Sequence, residues 1–150
     1  MEQKRKILPP VYLLLTLASM AALHYAAPLM HLIPPFVSWI GLIFIIAGVA
    51  IAATAAFSFK RAGTPIIPFE PSTALVTGGL FRYTRNPMYL GMVSLLTGAG
   101  LLFGTLSVWL PVAVFVSIIR NNFILGEERF LEEIFGQQYI NYKNKVGRWL

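Results

Sequence analysis

The sequence predicts an all-α fold: an integral membrane helical bundle of about four transmembrane helices, with a cytoplasmic loop and an amphipathic C-terminal helix. Three observations lead there. Hydrophobic residues make up 57% of the 150 residues and charged residues only 12%, about half the charged share of a soluble domain. The charge is also clustered, because neither residues 7–59 nor residues 86–119 contain any Asp, Glu, Lys or Arg. Finally, the 12 Lys and Arg outnumber the 6 Asp and Glu and flank those two stretches. A soluble fold cannot turn so much uncharged apolar surface toward water. Soluble nucleic-acid binders, disulfide scaffolds and disordered chains are thereby excluded, and the chain has no Cys.

A spanning helix needs about 20 apolar residues, within a range of roughly 17–25. Pro28, Pro34 and Pro35 divide the first stretch into spans over 11–27 and 36–57. As one helix the second stretch would run about 50 Å, too long for a hydrocarbon core of about 30 Å. Residues 103–107 (Phe-Gly-Thr-Leu-Ser) offer a break and Pro111 suits the first turn of a new helix, so spans are expected over 87–103 and 108–125. The basic residues test this count. Lys4, Arg5 and Lys6 precede the first span, Lys60, Arg61, Arg82 and Arg85 separate the second and third, and Arg120, Arg129, Lys143, Lys145 and Arg148 follow the fourth. Four spans put every cation on one side, which the positive-inside rule makes cytoplasmic together with both termini; three would strand the last five outside. The first span reads as retained rather than cleaved as a signal peptide, since its apolar run is long and Pro9-Pro10 interrupts the usual transition.

The outer loops hold only His24 and His31. No carboxylate or Cys lies nearby, so interfacial histidines rather than a metal site are expected. The inner side carries the chemistry, in two elements at 60–89 and 123–150. The first is a long loop with Ile66, Ile67, Phe69, Leu75, Val76, Leu80 and Phe81, too apolar for a disordered linker and suited to packing on the bundle and closing a pocket. Gly78-Gly79 permits a tight turn at positive φ. Pro87 is placed to open the third helix, with Asn86 as its cap, and the free N–H groups of that helix end would face the cytoplasm. Arg82 and Arg85 sit one turn before it, as inner-face anchors or as ligand contacts.

In the second element, a helical phase of about 100° per residue groups Phe123, Phe130, Leu131, Ile134 and Tyr142 on one face. Arg129, Glu132 and Glu133 fall on a solvated face. Glu127 projects into the apolar stripe with Glu128 at its edge, and a carboxylate there needs a partner. A salt bridge to Arg82, Arg85 or Arg120 and a ligand both satisfy that need. Trp149 suits an interface anchor.

The string LVTGGLFRYTRNPMYLG followed by EERFLEEIFGQQYINYKNKVGRW resembles the isoprenylcysteine carboxyl methyltransferase and phospholipid methyltransferase family of integral membrane enzymes, as a short bacterial-type member. The pattern is a Gly-aromatic step, an Arg-His/Asn-Pro-x-Tyr motif, and one helical hairpin later Glu-Glu and an FGxxYxxY tail, covering 64–150. The resemblance implies S-adenosylmethionine as cofactor, in a cytoplasmic pocket between the hairpin helices and the tail. Carried over by motif position, Thr73, Ala74, Leu75 and Val76 would wall the pocket, with Phe81 stacking near the cofactor. Asn86, Pro87, Met88 and Tyr89 would surround its amino-acid end, and Glu127 would accept one of its polar donors. Arg85 would orient an anionic substrate or pair with Glu128; these two stand as the catalytic candidates. The implied partners are the lipid bilayer of the plasma membrane and a lipid-like or membrane-partitioned acceptor.

Two positions depart from the pattern. Asn86 replaces the family's frequent His, removing imidazole chemistry there. Phe123 stands where the eukaryotic carboxyl methyltransferases carry a substrate-contacting Arg, which argues against carboxyl methylation of a prenylated cysteine. The Gly-rich nucleotide turn of soluble methyltransferases is absent from the sequence. Two other readings remain at this point. One is an NADPH-dependent membrane reductase related to sterol reductases. The other is a non-catalytic membrane subunit whose Gly100-x-x-x-Gly104 supports helix association or close packing within the hairpin.

Overall fold

Helices account for nearly all the regular structure in the computed structural model, which describes residues 7–68, 70 and 72–150. Lys4, Arg5, Lys6 and Phe69, which entered the expectations above, lie outside the described residues. In chain order the helices are α1 (Pro9–Ala26), α2 (Pro35–Ser38), α3 (Ile40–Arg61), α4 (Pro87–Phe103), α5 (Trp109–Ile119), α6 (Leu125–Phe135) and α7 (Gln137–Lys143). Among the described residues no strand ladder forms, and one isolated antiparallel bridge joins His31 to Thr105. Pro9–Ala26, Pro35–Arg61 and Leu106–Phe135 are long and apolar enough to cross a membrane, and Pro87–Phe103 is a shorter apolar helix of 17 residues. At 1.5 Å per residue the last runs about 26 Å, at the lower limit for a span.

The expected breaks fall where the backbone requires them. Prolines start α1, α2 and α4 in their first turns, where the missing N–H costs nothing. Helix α4 ends at Gly104, which adopts the left-handed conformation at φ 71° that favours glycine. The Gly104 carbonyl accepts the Leu32 N–H at 2.8 Å, tying the two outer loops together. His24 Nδ1 lies 3.2 Å from the Thr105 hydroxyl, so this histidine is engaged by the outer hairpin. Gly100 meets the Trp109 ring at the position a Cβ would take, and thus allows packing within the hairpin.

Between α3 and α4 lies the largest helix–helix interface, and glycines make it possible. A Cβ on Gly48 would lie 2.5 Å from the Gly91 carbonyl, and one on Gly91 would lie 2.6 Å from the Gly48 carbonyl. Gly41 and Gly98 oppose each other in the same way two turns away. Close backbone approach of this kind drives helix association where both surroundings are apolar. Gly91→Val is therefore expected to push the pair apart and destabilise the fold by about 1–3 kcal/mol. The melting temperature in detergent reads this out, against Gly78→Ala, where nothing lies within 4 Å of an added Cβ.

Three expectations about the tail change. The stripe from Phe123 to Tyr142 is not one helix: α6 ends at Phe135, Gly136 takes φ 50°, and α7 restarts in a new direction. Ile134, expected on the packed face, is consequently exposed, and Trp149 packs against the core rather than standing as an interface anchor. The third change lies upstream, where residues Arg120–Ile124 form a π-helical turn in which the Leu125 N–H reaches the Arg120 carbonyl. One extra residue in the ladder rotates everything after it by about 100°. Val112, Phe115 and Ile119 are buried before the turn, Phe123 and Ile124 within it, and Glu128 after it. An unbroken α-helix from Phe115 would put residues 122, 126 and 130 on that face; the π turn puts 124 and 128 there.

Candidate active site

Three segments converge at one end of the bundle: the loop after α3, the start of α4, and α6–α7 with the C-terminal strap. The Asn86-Pro87 turn is held from outside its own helix. The Arg85 N–H donates to the Gly147 carbonyl at 2.9 Å. The Arg148 carbonyl accepts the Asn86 side-chain amide at 3.0 Å and the Thr84 hydroxyl at 3.3 Å. Asn86 does occupy the N-cap position of α4, but its side chain makes no cap bond; the strap claims it instead. Of the two loop glycines only Gly79 takes positive φ, at 60°, and it opens the short 3-10 turn Gly79–Arg82 that buries Phe81.

The two neighbouring glutamates have different fates. Glu128 is buried and paired: Arg85 Nη1 lies 3.0 Å from its Oε1, and Arg148 reaches both oxygens, Nε at 2.7 Å and Nη2 at 2.9 Å. Bidentate, charge-assisted bonds are the strong kind, and they hold the Arg148 guanidinium above its usual range despite some burial. Glu127 accepts the Tyr89 hydroxyl at 2.6 Å and has no ion pair among the described residues. Of the three arginines considered as salt-bridge partners, Arg82 and Arg120 are exposed; Arg85 turns inward and takes Glu128.

A chamber in two lobes opens between these segments. The larger, about 210 Å³, is walled by the α1 start (Leu8, Pro9, Pro10), loop residues Pro65, Ile66, Ile67, Pro68 and Glu70, and Pro87, Met88, Tyr89, Met92 and Phe130. The smaller, about 70 Å³, is walled by Ala74, Leu75, Val76, Glu128, Tyr139 and Tyr142. Both lobes share Phe59, Ser72, Phe81, Arg85, Asn86, Glu127 and Leu131. The residues expected from the motifs are thus brought together, except Thr73. Its N–H donates to the Thr64 hydroxyl at 3.1 Å and its own hydroxyl to the Gly63 carbonyl at 3.0 Å, so it shapes the loop and does not wall either lobe. Wall and anchor residues not singled out from the sequence for the site include Phe59, Leu131, Tyr139, Tyr142 and Arg148. The FGxxYxxY spacing carried the signal for the two tyrosines. Arg148 counted only as charge, and nothing local distinguishes it from Lys143 or Lys145.

Tyr142 donates to the Phe81 carbonyl at 2.7 Å and so fastens α7 to the loop. Burial, with a smaller contribution from Tyr139 and against the opposing pull of Arg85, pushes its hydroxyl from 10.0 to about 12. Burial likewise raises Tyr139, against its bond from Arg85. A pKa raised on folding means stability that is present below pH 10 and lost as pH climbs through about 12. Melting in detergent should therefore fall across that interval, and Tyr142→Phe should flatten the slope; an unaltered slope would show that the bond does not fasten α7.

One atom in this site lacks what the others have. Arg85 is 9% exposed at its side chain, lines both lobes, and its Nε is buried with no hydrogen-bond partner among the described residues. A buried donor left unsatisfied costs about 1–3 kcal/mol, so an acceptor oxygen from a bound molecule fits this position. The Glu127 carboxylate and the Phe81, Tyr139 and Tyr142 rings supply the remaining surface for a polar, partly cationic, aromatic guest.

The phospholipid methyltransferase family matches residues 36–138. Protein-S-isoprenylcysteine O-methyltransferase A of Arabidopsis thaliana is 34% identical over 114 residues, covering 75% of this chain and 58% of its own. An uncharacterized protein of Haemophilus influenzae is 41% identical over 63 residues, 42% of this chain and all of its own. The solved structure of the eukaryotic intramembrane Ras methyltransferase ICMT superposes with a TM-score of 0.68 at 22% identity, covering 100% of this chain and 53% of that one; the fold is shared. The chain thus spans a little over half the length of the Arabidopsis relative and of the solved structure. With a family match running from α2 to the first α7 residues, over two thirds of its length, this chain belongs to the phospholipid methyltransferase family of integral membrane proteins.

Proposed function

We propose that this protein transfers a methyl group from S-adenosylmethionine to a lipid-like, membrane-partitioned acceptor at the cytoplasmic face, with four spans and both termini on that side. The observation that carries the reading is the junction of the two lobes at Arg85, Asn86 and Glu127. When bound, the cofactor supplies a methyl group on a sulfonium, which a nucleophile displaces with sulfur leaving as a neutral thioether. The protein's part is to bind, align and keep dry. Glu127, oriented by the Tyr89 hydroxyl, accepts a donor of the cofactor, and Arg85 Nε donates to an acceptor oxygen. Phe81 offers a ring face to the cation. Ala74, Leu75 and Val76 close the small lobe, and the apolar large lobe receives the acceptor. Alignment with exclusion of water supplies most of what such a displacement needs, which agrees with a site built of positioning contacts.

The test is thermal shift of the purified protein in detergent with S-adenosylhomocysteine against NADPH. At a hundred times its dissociation constant a ligand stabilises by about 2.7 kcal/mol, so S-adenosylhomocysteine should raise the melting temperature and NADPH should not. The reverse result overturns the assignment in favour of a reductase.

A further inference from the structure

We propose a second site, on the opposite face of the same helix, that takes the phosphate of an anionic phospholipid headgroup. A cavity of about 380 Å³ lies between the start of α1 and the π-helical turn. It is lined by Ile7, Tyr12, Asn121, Asn122, Phe123, Gly126 and Arg129. No catalytic-chamber residue contributes to it. It stands independently of the methyl-transfer reading.

Four observations carry it. The π turn Arg120–Ile124 carries Asn121 and Asn122 out of the packed face, and single π turns of this kind occur mainly at functional positions. Asn122, Gly126 and Arg129 follow at steps of four and three, one helical face turned away from the buried Glu128. Asn121 and Asn122 are exposed, and no hydrogen bond among the described residues engages their side chains. Arg129 is fixed rather than trailing in solvent: its Nε donates to the Leu125 carbonyl at 3.2 Å, which leaves both terminal nitrogens of the fork for an oxyanion.

Among the described residues the lining contains no carboxylate, and the formal charge it carries, at Arg129, is positive. The cavity sits at the basic end of the spans, where phosphates of the adjacent leaflet lie and where juxtamembrane cations meet anionic lipid. The Tyr12 ring, edge-on to Phe123 at 5.8 Å, forms the apolar floor on the lipid side. Arginine fork, two amides and an apolar floor together suit a phosphodiester with acyl chains.

The experiment uses the full chain in phosphatidylcholine nanodiscs doped with phosphatidylglycerol, reading retained phosphatidylglycerol by native mass spectrometry. Arg129→Gln should weaken retention roughly tenfold, the loss expected for one charge-assisted bond. Asn122→Leu, which changes no charge, should weaken it by about fivefold. Arg82→Gln removes an exposed cation that lines none of the three cavities described, and it should have a smaller effect. Equal losses from Arg82→Gln and Arg129→Gln, with none from Asn122→Leu, would mean general surface attraction and overturn the site. Displacement of the lipid by inorganic phosphate at the same concentration would overturn the lipid as its source. S-adenosylhomocysteine binding should be unchanged in Arg129→Gln, which keeps this outcome separate from that of the chamber.

Discussion

Glu128→Ala should lose about 3–5 kcal/mol of stability and all methyl transfer, because it leaves Arg85 buried without a counter-charge. The Glu128 carboxylate, itself 10% exposed at the side chain, bridges Arg85 on the α4 turn and Arg148 on the strap. Removing it releases both arginines at once, and with them the strap that holds the Asn86 amide. Glu132→Ala gives the contrast. Its pair with Lys143 at 3.0 Å is 37% and 39% exposed, and such surface pairs contribute only about 0–1 kcal/mol. Denaturant or thermal melting of the two variants in one detergent checks both values. Similar losses would show that the strap is held by something other than the buried cluster.

Loss of affinity without loss of fold is the expected result at Glu127. Glu127→Ala removes the acceptor that Tyr89 orients at 2.6 Å, so S-adenosylhomocysteine should bind roughly 10- to 100-fold more weakly, the range for a bond to a charged group. Tyr89→Phe removes only the hydroxyl that positions the carboxylate and should cost about tenfold or less. Each variant leaves one buried member of this hydrogen bond without its partner, so melting without ligand should fall by about 1–3 kcal/mol, short of the Glu128→Ala loss. Calorimetric titration separates these outcomes. Unchanged affinity in both would place the cofactor elsewhere and remove the reason for a carboxylate at the seam of the lobes.

Much of this architecture was legible along the chain, and for a simple reason. The membrane imposes a length and a composition on each span, so charge-free runs and prolines reveal spans without any long-range information. The match of 87–103 to α4 residue for residue follows from Pro87 and Gly104, whose backbone constraints are local. Local motifs likewise placed Phe81, Asn86, Tyr89 and Glu127 around one chamber. The tail was read less well. Helical phase assumes one unbroken rotation, and the π turn at 120–124 and Gly136 each break it. Glu128 was therefore assigned to the edge of the stripe when it lies at its centre.

What residues 1–150 determine by themselves is the solvent each segment accepts: apolar runs long enough for hydrocarbon, cations held to one side, and two polar elements left to meet there. Which polar groups meet is a three-dimensional matter. The pairing of Arg85 and Arg148 on Glu128, the capture of Asn86 by the strap, and the glycine-to-glycine contact of α3 with α4 join residues tens of positions apart. Their energy comes from burial and from distances of about 3 Å, which no spacing along the sequence specifies.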